Sequence, residues 1–425
     1  MGLESTLTRA WLRRGPLACA LWPLSLLFRA LSGLRRLLFR AGVLSSERLP
    51  VPVVVVGNIF IGGTGKTPLT IWLVEALRAA GMKPGVVSRG FGSSGEGARA
   101  VTAQSSPAEV GDEPVLIAAR TGVPVMVSRA RAEAGRALLA AHPEVDVIVT
   151  DDGLQHYTLQ RDVEVVLFDG RGAGNGWTLP AGPLREPPSR RRDFTVINAP
   201  ELAPALVAAV AGQRAADGGA RLAPTGGGAE GAVFADADST GAGRAAGVVS
   251  AVVEALDSGT RLAPMRGGAE AANEGRAGAP EVAKPAHLAS AGAATAVFQM
   301  RLAGDVAERL GDRSERVALA ELAQRGGRIV AAAGIGNPGR FFAMLRAAGL
   351  QIDELALPDH HDFQDRPFAA LQADLILMTE KDAVKCSQIE ELRTDPRLWV
   401  VPVSARIDSA LARQIVEKCR GRTFA

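Results

Sequence analysis

The chain has 425 residues, which at ~100–200 residues per domain predicts two or three domains. Its composition, 47% apolar and 22% charged, excludes a disordered or collagen-like chain. Its three widely spaced cysteines form neither a disulfide framework nor a zinc site, which favours a cytoplasmic compartment. The 48 basic and 45 acidic residues leave a net charge of +3, too small for a dedicated nucleic-acid binder, so no nucleic-acid partner is expected.

The amino-terminal segment, residues 1–48, is predicted to form a helix that carries apolar and basic side chains. Residues 15–28 have no charge, and arginines then recur at helical spacing among leucines up to Arg40. No stretch reaches the ~20 apolar residues that a membrane span needs. A secretory signal and a buried amphipathic helix are the alternatives, but no convincing cleavage site follows the apolar stretch. The pattern favours a membrane-surface helix with its cations toward anionic lipid.

The first predicted globular domain, residues 49–200, alternates runs of valine and isoleucine with helix patterns. Such near-continuous apolar runs indicate buried parallel strands in a sheet with helices on both faces. The predicted strands span residues 51–59, 85–90, 123–129, 145–152, 163–170 and 194–200. We therefore predict an α/β fold built on a mostly parallel sheet.

The second half of the chain resumes this pattern on a smaller scale. Three strand-and-helix units, at residues 328–349, 373–385 and 398–407, predict a smaller α/β domain over residues 296–425. The intervening residues 201–295 are rich in alanine and glycine, and a decapeptide at 221–230 recurs imperfectly at 261–270. Two copies are too few for a repeat fold, so this segment is predicted to be a low-complexity insertion.

The sharpest motif is GNIFIGGTGKTP, residues 57–68, which directly follows the first predicted strand and precedes a helix. In such a P-loop, backbone N–H groups point at phosphate oxygens, Lys66 reaches the β- and γ-phosphates, and the Thr67 hydroxyl holds Mg²⁺. Phe60 replaces the usual first glycine, so the later glycines supply the flexibility. The alternative is a glycine-rich turn without function. The predicted nucleotide-binding residues are Gly62, Gly63, Thr64, Gly65, Lys66 and Thr67.

A second motif, VDVIVTDDGLQH, ends a predicted strand in Asp151 and Asp152. A carboxylate at the carboxyl end of a strand neighbouring the P-loop is where a nucleotide-hydrolysing enzyme places a ligand for Mg²⁺ or its waters. Asp-Gly also makes a simple turn, which is the alternative. Together with the P-loop, the pair predicts a magnesium site.

Two further motifs contain candidates for proton transfer. In VGDEP, Asp112 precedes a predicted helix, where an N-cap is the simplest explanation. In LPDHHDF, His360 and His361 lie between aspartates, and a surface position or a metal site are the alternatives. Because no third histidine or cysteine is nearby, we favour a carboxylate–imidazole arrangement for proton transfer.

Arginines are concentrated in LPAGPLREPPSRRRD, residues 179–193, beside Glu186. Solvated loop charge is the usual explanation, and binding of an anionic substrate or lipid headgroup is the functional one, because arginine binds phosphate through two hydrogen bonds. A GxGxxG pattern, GIGNPG at residues 334–339, lacks an acidic residue ~20 positions later and is interpreted as a tight strand-to-helix turn.

Taken in order, the motifs GNIFIGGTGKTP, SRGFG, VGDEP, DDGLQH, PAGPLREP, AGIGNPGRFF, PDHHDF and TEKDAVK resemble the tetraacyldisaccharide 4′-kinase family of Gram-negative bacteria. The match runs over residues 50–199 and 298–403. The resemblance implies a P-loop kinase domain at residues 49–200 that transfers the γ-phosphate of ATP, with Mg²⁺, to an acylated glucosamine disaccharide 1-phosphate. It also implies a location at the cytoplasmic face of the inner membrane, and no obligate protein partner is expected.

The resemblance also assigns roles to individual residues. Lys66 and Thr67 match the phosphate- and Mg²⁺-binding pair, Asp112 matches the general base, and His360 matches its partner. The sequence leaves open whether His360 or His361 pairs with Asp112. The Mg²⁺-side carboxylates match Asp151 and Asp152. The substrate region of the family matches Gln155, Arg185 and Glu186.

Two other functions remain open from the residues alone. A switch-type or metallochaperone-type NTPase uses a related P-loop, although Ile61 stands where that group has a lysine. A membrane-tethered scaffold with a relic P-loop is the non-enzymatic alternative. The kinase interpretation alone gives Asp112 and His360 a task.

Overall fold

A computed structural model describes residues 10–90, 97–211 and 295–421 of the chain. The predicted α/β class, with a large and mostly parallel sheet and a second smaller sheet, is confirmed. Most of the predicted low-complexity insertion, including both copies of its decapeptide, lies outside the described residues.

The elements before the insertion are α1 (Pro16–Arg40), β1 (Val53–Asn58), α2 (Lys66–Ala79), β2 (Pro84–Ser88), β3 (Arg99–Val101), α3 (Pro107–Val110), α4 (Asp112–Thr121), β4 (Val125–Val127), α5 (Arg131–Ala141), β5 (Val147–Asp151), β6 (Val163–Asp169), β7 (Phe194–Asn198) and α6 (Pro204–Ala211). Those after it are β8 (Ala296–Ala303), β9 (Val306–Arg309), β10 (Arg316–Ala318), α7 (Leu319–Arg325), β11 (Ile329–Ala333), α8 (Pro338–Ala347), β12 (Ile352–Ala356), β13 (Leu375–Thr379), α9 (Glu380–Cys386), α10 (Glu390–Arg393), β14 (Leu398–Val401), β15 (Ser404–Ile407) and α11 (Ala410–Arg420).

The larger sheet has nine strands in the order β15-β8-β7-β6-β1-β5-β2-β4-β3. The seven strands from β8 to β4 are parallel, and an antiparallel strand closes each edge. Strand β1 lies between β6 and β5, so the strand order reverses there. In open α/β sheets, ligands bind at the carboxyl ends of the strands beside such a reversal.

Helices cover both faces of this sheet, and alternate residues of β1 contribute to the two cores. Val54 and Val56 belong to the core that contains Leu69 of α2, whereas Val53 and Val55 belong to the core that contains Leu138 of α5. This alternation follows from the two-residue period of a strand. Because both faces of β1 are buried, its four consecutive residues from Val53 to Val56 are all apolar, as the sequence pattern predicted.

The smaller sheet has six strands in the order β10-β9-β14-β13-β11-β12, with β14, β13, β11 and β12 parallel. Two strands from residues 296–425 pair into the larger sheet instead: β8 lies parallel to β7, and β15 lies antiparallel to β8. The chain therefore passes between the sheets after β8 and again before β15. A boundary at residue 296, drawn from composition alone, does not reflect this exchange.

Helix α1 lies along the larger unit and leaves one side uncovered. Ser25 Oγ donates to the Thr178 carbonyl oxygen at 2.7 Å, and Phe28 is buried against Leu179. The exposed large apolar side chains on this helix are Leu17, Trp22, Leu24, Leu26, Leu27, Leu31, Leu34 and Leu37. The sequence prediction was that no stretch is long enough for a membrane span, but residues Pro16–Arg40 form one continuous helix of 25 residues. By length and composition alone it would suffice to cross a membrane, a criterion that core helices and signal sequences also meet.

Candidate active site

The P-loop connects β1 to α2 and is held by two asparagine side chains that the sequence reading did not single out. The Asn58 amide donates to the Phe60 carbonyl oxygen at 2.7 Å and to Thr64 Oγ1 at 2.9 Å, and the Asn198 amide donates to the Thr64 carbonyl oxygen at 2.9 Å. Gly65 has a φ of 99°, and a Cβ there would lie 2.7 Å from Asn198 Nδ2. The loop therefore requires glycine at this position for both conformation and space.

Lys66 and Thr67 form the first turn of α2, directly after the glycines. Lys66 Nζ lies 3.4 Å from Asn58 Oδ1 and 3.7 Å from Asp152 Oδ2. Arg185 Nη1 lies 3.4 Å from the same Asp152 oxygen. The Arg185 backbone reaches this place because its N–H donates to the Ile59 carbonyl oxygen at 2.7 Å. Two cations and a carboxylate thus converge beside the P-loop.

The two adjacent aspartates occupy different environments. Asp151 is buried and accepts a hydrogen bond from Thr70 Oγ1 at 3.1 Å. Asp152 has a φ of 50°, a conformation that few residues other than glycine adopt, and this turns its side chain toward the two cations. One Asp152 oxygen, Oδ1, is buried and has no hydrogen-bond partner among the described residues.

The surroundings drive the pKa values of this pair apart. Burial, helped by the negative charges of Glu113 and Asp152, raises the pKa of Asp151 to about 7. Burial would also raise the pKa of Asp152, but Lys66, Arg185 and Arg131 outweigh it and hold that pKa well below the usual range. The pair therefore carries one firmly ionised carboxylate and one whose charge depends on a cation placed nearby.

The Asp112 and His360 side chains meet, although 248 residues separate them in sequence. His360 Nδ1 lies 3.1 Å from Asp112 Oδ2, and Lys385 Nζ lies 3.0 Å from the same oxygen. Asp112 is the first residue of α4 rather than its N-cap, which is Gly111. Of the two adjacent histidines, His361 instead accepts from the Phe363 N–H at 3.0 Å, so His360 alone faces Asp112.

The charge state of Asp112 is set by groups from the smaller domain. The carboxylate is buried, which by itself would raise its pKa. The hydrogen bond from His360 and the positive charges of Lys381 and Lys385 outweigh burial and hold the pKa well below the usual range. Both lysines belong to α9, within the TEKDAVK motif, and no pattern in the sequence assigned them to this pair.

The predicted substrate residues Gln155 and Glu186 are in contact. Gln155 Nε2 donates to Glu186 Oε1 at 3.1 Å, and the other oxygen of Glu186 accepts from Arg36 at 3.0 Å and from Arg190 at 2.7 Å. Glu186 is buried, so these bonds satisfy a charge that would otherwise be costly. The Arg190 side chain is also buried, not solvated, and Arg36 links helix α1 to this network.

The GIGNPG turn lies directly against the P-loop. A Cβ on Gly336 would come 2.9 Å from the backbone nitrogen of Gly63 and 3.1 Å from Asp359 Oδ2. On the adjacent helix α8, Arg340 lies 3.6 Å from buried Asp169 at the end of β6. The sequence prediction of a tight strand-to-helix turn agrees with this geometry, but its contact with the P-loop was not foreseen.

Comparison with known proteins gives one consistent family. Residues 17–244 and 267–420 match the family described as LpxK, tetraacyldisaccharide-1-P 4′-kinase. The tetraacyldisaccharide 4′-kinase of Janthinobacterium sp. (strain Marseille) is 51% identical, with 100% of this chain and 98% of that protein covered. The protein of the same name from Herminiimonas arsenicoxydans is 50% identical, with the same coverage. The solved structure described as an "apo" form of LpxK from Aquifex aeolicus in complex with ATP has a TM-score of 0.62 at 22% identity, covering 95% of this chain and 99% of that chain, which shows a common fold.

Proposed function

The chain belongs to the tetraacyldisaccharide 4′-kinase family, and we propose how its residues carry out the reaction of that family. The protein transfers the γ-phosphate of ATP to the 4′-hydroxyl of tetraacyldisaccharide 1-phosphate, forming lipid IVA in lipid A biosynthesis. The residue assignments rest mainly on one observation: the Asp112 and His360 side chains are in contact beside the GIGNPG turn, which itself contacts the P-loop. A nucleotide switch has no need of such a pair.

The nucleotide phosphates are proposed to lie on the P-loop, residues 62–67. Their oxygens accept from backbone N–H groups at the start of α2, where the helix dipole also favours negative charge. Lys66 then exchanges its contact with Asp152 for the β- and γ-phosphates. Charge neutralisation of this kind supplies much of the rate in phosphoryl transfer.

Residues in the first turn of α2 and at the carboxyl end of β5 fit a magnesium ion. Mg²⁺ prefers oxygen ligands, and Thr67, Asp151 and Asp152 offer a hydroxyl and two carboxylates. The buried Asp152 Oδ1, for which the described part of the chain offers no hydrogen-bond partner, is an oxygen that the ion or its waters would satisfy. When bound, Mg²⁺ neutralises charge on the transferring phosphate. A cation here would also favour the ionised form of Asp151, whose pKa is raised.

Asp112 is proposed to accept the proton of the 4′-hydroxyl. As the oxygen attacks, its O–H bond breaks, a bond to the γ-phosphorus forms, and the bond from that phosphorus to the β-phosphate oxygen breaks to release ADP. A carboxylate held ionised is in the correct state to receive that proton. His360 orients Asp112 through the hydrogen bond at Nδ1.

Helix α1 is proposed to place the enzyme on the cytoplasmic face of the inner membrane. Its uncovered leucines contact acyl chains, and its exposed Arg29 and Arg40 lie near anionic headgroups. The bond between Arg36 and Glu186 connects this helix to Gln155, one residue of the proposed substrate region. An acylated sugar then reaches the site without leaving the interface.

The experiment that tests the assignments follows label from γ-labelled ATP into detergent-dispersed tetraacyldisaccharide 1-phosphate, separated by thin-layer chromatography. Asp112→Asn is expected to lower turnover by about 10²–10⁴-fold while ATP binding persists, because only the proton acceptor is lost. Asp312→Asn, at an exposed aspartate bonded to Ser314, is the matched control. Lys66→Ala should abolish labelling. Full turnover by Asp112→Asn would remove the base assignment, and label released only as free phosphate would favour a switch-type NTPase.

A further inference from the structure

Lys381 connects the two halves of the proposed active site. Its Nζ lies 3.3 Å from His360 Nε2, 3.2 Å from Glu113 Oε1 and 3.5 Å from Asp359 Oδ1. The side chain is 17% exposed, so most of it is enclosed between α4 and the loop that carries His360. Lys381 therefore contacts the imidazole on the ring nitrogen opposite to Asp112.

Hydrogen-bond chemistry fixes the direction of this contact. An ammonium group has three donors and no acceptor, so Nε2 of His360 must accept. A neutral imidazole that accepts at Nε2 carries its proton at Nδ1. That proton points to Asp112 Oδ2, which lies 3.1 Å from Nδ1. The same ring cannot be an imidazolium without placing an N–H against the ammonium.

Taking the role of Asp112 as proton acceptor from the proposed function, we propose that Lys381 is a positioning residue that keeps a proton off Nε2 of His360, while the ionised Asp112 holds the proton at Nδ1. By donating to Nε2, it keeps the ring neutral and protonated at Nδ1. His360 then always donates to Asp112 and never competes for the hydroxyl proton. Asp112 is left as the single acceptor.

The surroundings of Lys381 keep it a cation. The charged and titratable groups that face it and His360 are Asp112 and Glu113 of α4, Asp359 of the preceding loop, and Lys385 of α9. Burial alone would lower the pKa of Lys381, but Glu113, Asp112 and Asp359 outweigh it, and the pKa lies above the usual range. The donor is therefore present throughout the neutral pH range.

Local structure holds α9 in the place that this contact needs. Thr379 caps the helix by accepting from the Asp382 N–H at 3.3 Å, and Asp382 accepts from the Gly334 N–H at 3.1 Å. Gly334 opens the turn that contacts the P-loop, and its carbonyl oxygen accepts from the His360 N–H at 3.2 Å. Lys381, His360 and that turn thus form one rigid group on the smaller domain.

Nuclear magnetic resonance shows which nitrogens of His360 are protonated, independently of any measurement of kinase activity. The chain has five histidines, so selective ¹⁵N-histidine labelling of the full-length protein gives a simple spectrum, and His360→Asn identifies the His360 signals. At neutral pH we expect an unprotonated Nε2 and a protonated Nδ1, recognised by the couplings of each nitrogen to the ring protons. An Nε2–H tautomer or an imidazolium in the wild type overturns the proposal.

Two variants test the role of the lysine. Lys381→Met should allow a second proton at Nε2, giving an imidazolium, because Asp112 still holds the proton at Nδ1. It should also lower kcat by about tenfold or more with the KM for ATP unchanged, within the 10²–10⁴-fold that a positioned base contributes. Lys381→Arg, which also only donates, should keep the Nδ1–H form and recover most of kcat. Lys418→Met, which removes a lysine paired with Asp193 outside the site, is the control and should change neither the protonation of His360 nor kcat.

Each other result counts against the proposal. A His360 ring that stays unprotonated at Nε2 in Lys381→Met, or one that gains this proton with unchanged kcat, overturns it. If Lys381→Met does not fold, the wild-type spectrum and Lys381→Arg still decide. Full turnover by Asp112→Asn would instead refute the base assignment, whatever the tautomer of His360.

Discussion

Replacing Gly336 by alanine tests whether the close contact between the smaller domain and the P-loop matters for turnover. The new Cβ would lie 2.9 Å from the Gly63 nitrogen, at least 0.5 Å short of the ordinary contact distance of 3.4 Å. The backbone of Gly336 is outside the left-handed region, so alanine causes no backbone strain there, and its effect comes from the steric clash of the new Cβ. Because Gly63 offers backbone and not a movable side chain, the two domains must separate by about that distance.

A misplacement of about 1 Å at a catalytic site costs about 10²-fold, so a shift of half that size is expected to lower kcat by about tenfold. Gly339→Ala is the matched control in the same motif, because its Cβ would meet only Asn337 Oδ1 at 3.9 Å. The assay is label transfer at saturating ATP, with the melting temperature measured in parallel. Equal kcat values for the two variants would refute the reasoning.

Three further predictions concern stability and membrane binding. Leu138→Ala should reduce the free energy of unfolding by about 2–5 kcal/mol, because Leu138 is fully buried, and denaturant titration against Leu34→Ala, a change on the exposed side of α1, measures it. The lowered pKa of Asp112 contributes stability that is present above its unfolded pKa and is lost as pH falls below it. The stability advantage of wild type over Asp112→Asn should therefore be constant near neutral pH and shrink as pH falls from about 5 to below about 3, and a constant difference over that range would contradict the pKa direction. Leu27→Glu combined with Leu34→Glu should weaken flotation with anionic vesicles, since each buried leucine is worth ~1.5–3 kcal/mol; unchanged flotation would exclude this face as the contact.

The parts of the site that local residue patterns predicted are those made by neighbours in the chain, whereas the Asp112–His360 pair was implied only by the family resemblance. The valine-rich β1, the glycines and Lys66 form one continuous segment, and Asp151 ends a strand whose pattern is equally plain. Buried parallel strands align their carboxyl ends, so both motifs reach the same edge of the sheet.

The parts that were not predicted depend on contacts between distant segments. Lys381 and the GIGNPG turn reach the site only through docking of the smaller domain, which no local pattern encodes. The buried state of Arg190 follows from two acidic partners, Glu164 and Glu186, that lie 26 and 4 residues away. The choice of His360 over His361 depends on the loop conformation, in which His360 has a φ of 59°.

The exchange of strands between the sheets joins the two domains through two connections that lie side by side. Within the described residues the chain crosses from one sheet to the other twice, at Gly304 and at Pro402, and the two crossings touch: a Cβ on Gly304 would lie 2.8 Å from the Pro402 carbonyl oxygen. Because the two connections touch, a displacement of one also displaces the other. The placement of Gly336 and Lys381 against the larger sheet therefore depends on this one junction, so the fold itself sets the alignment of the two domains.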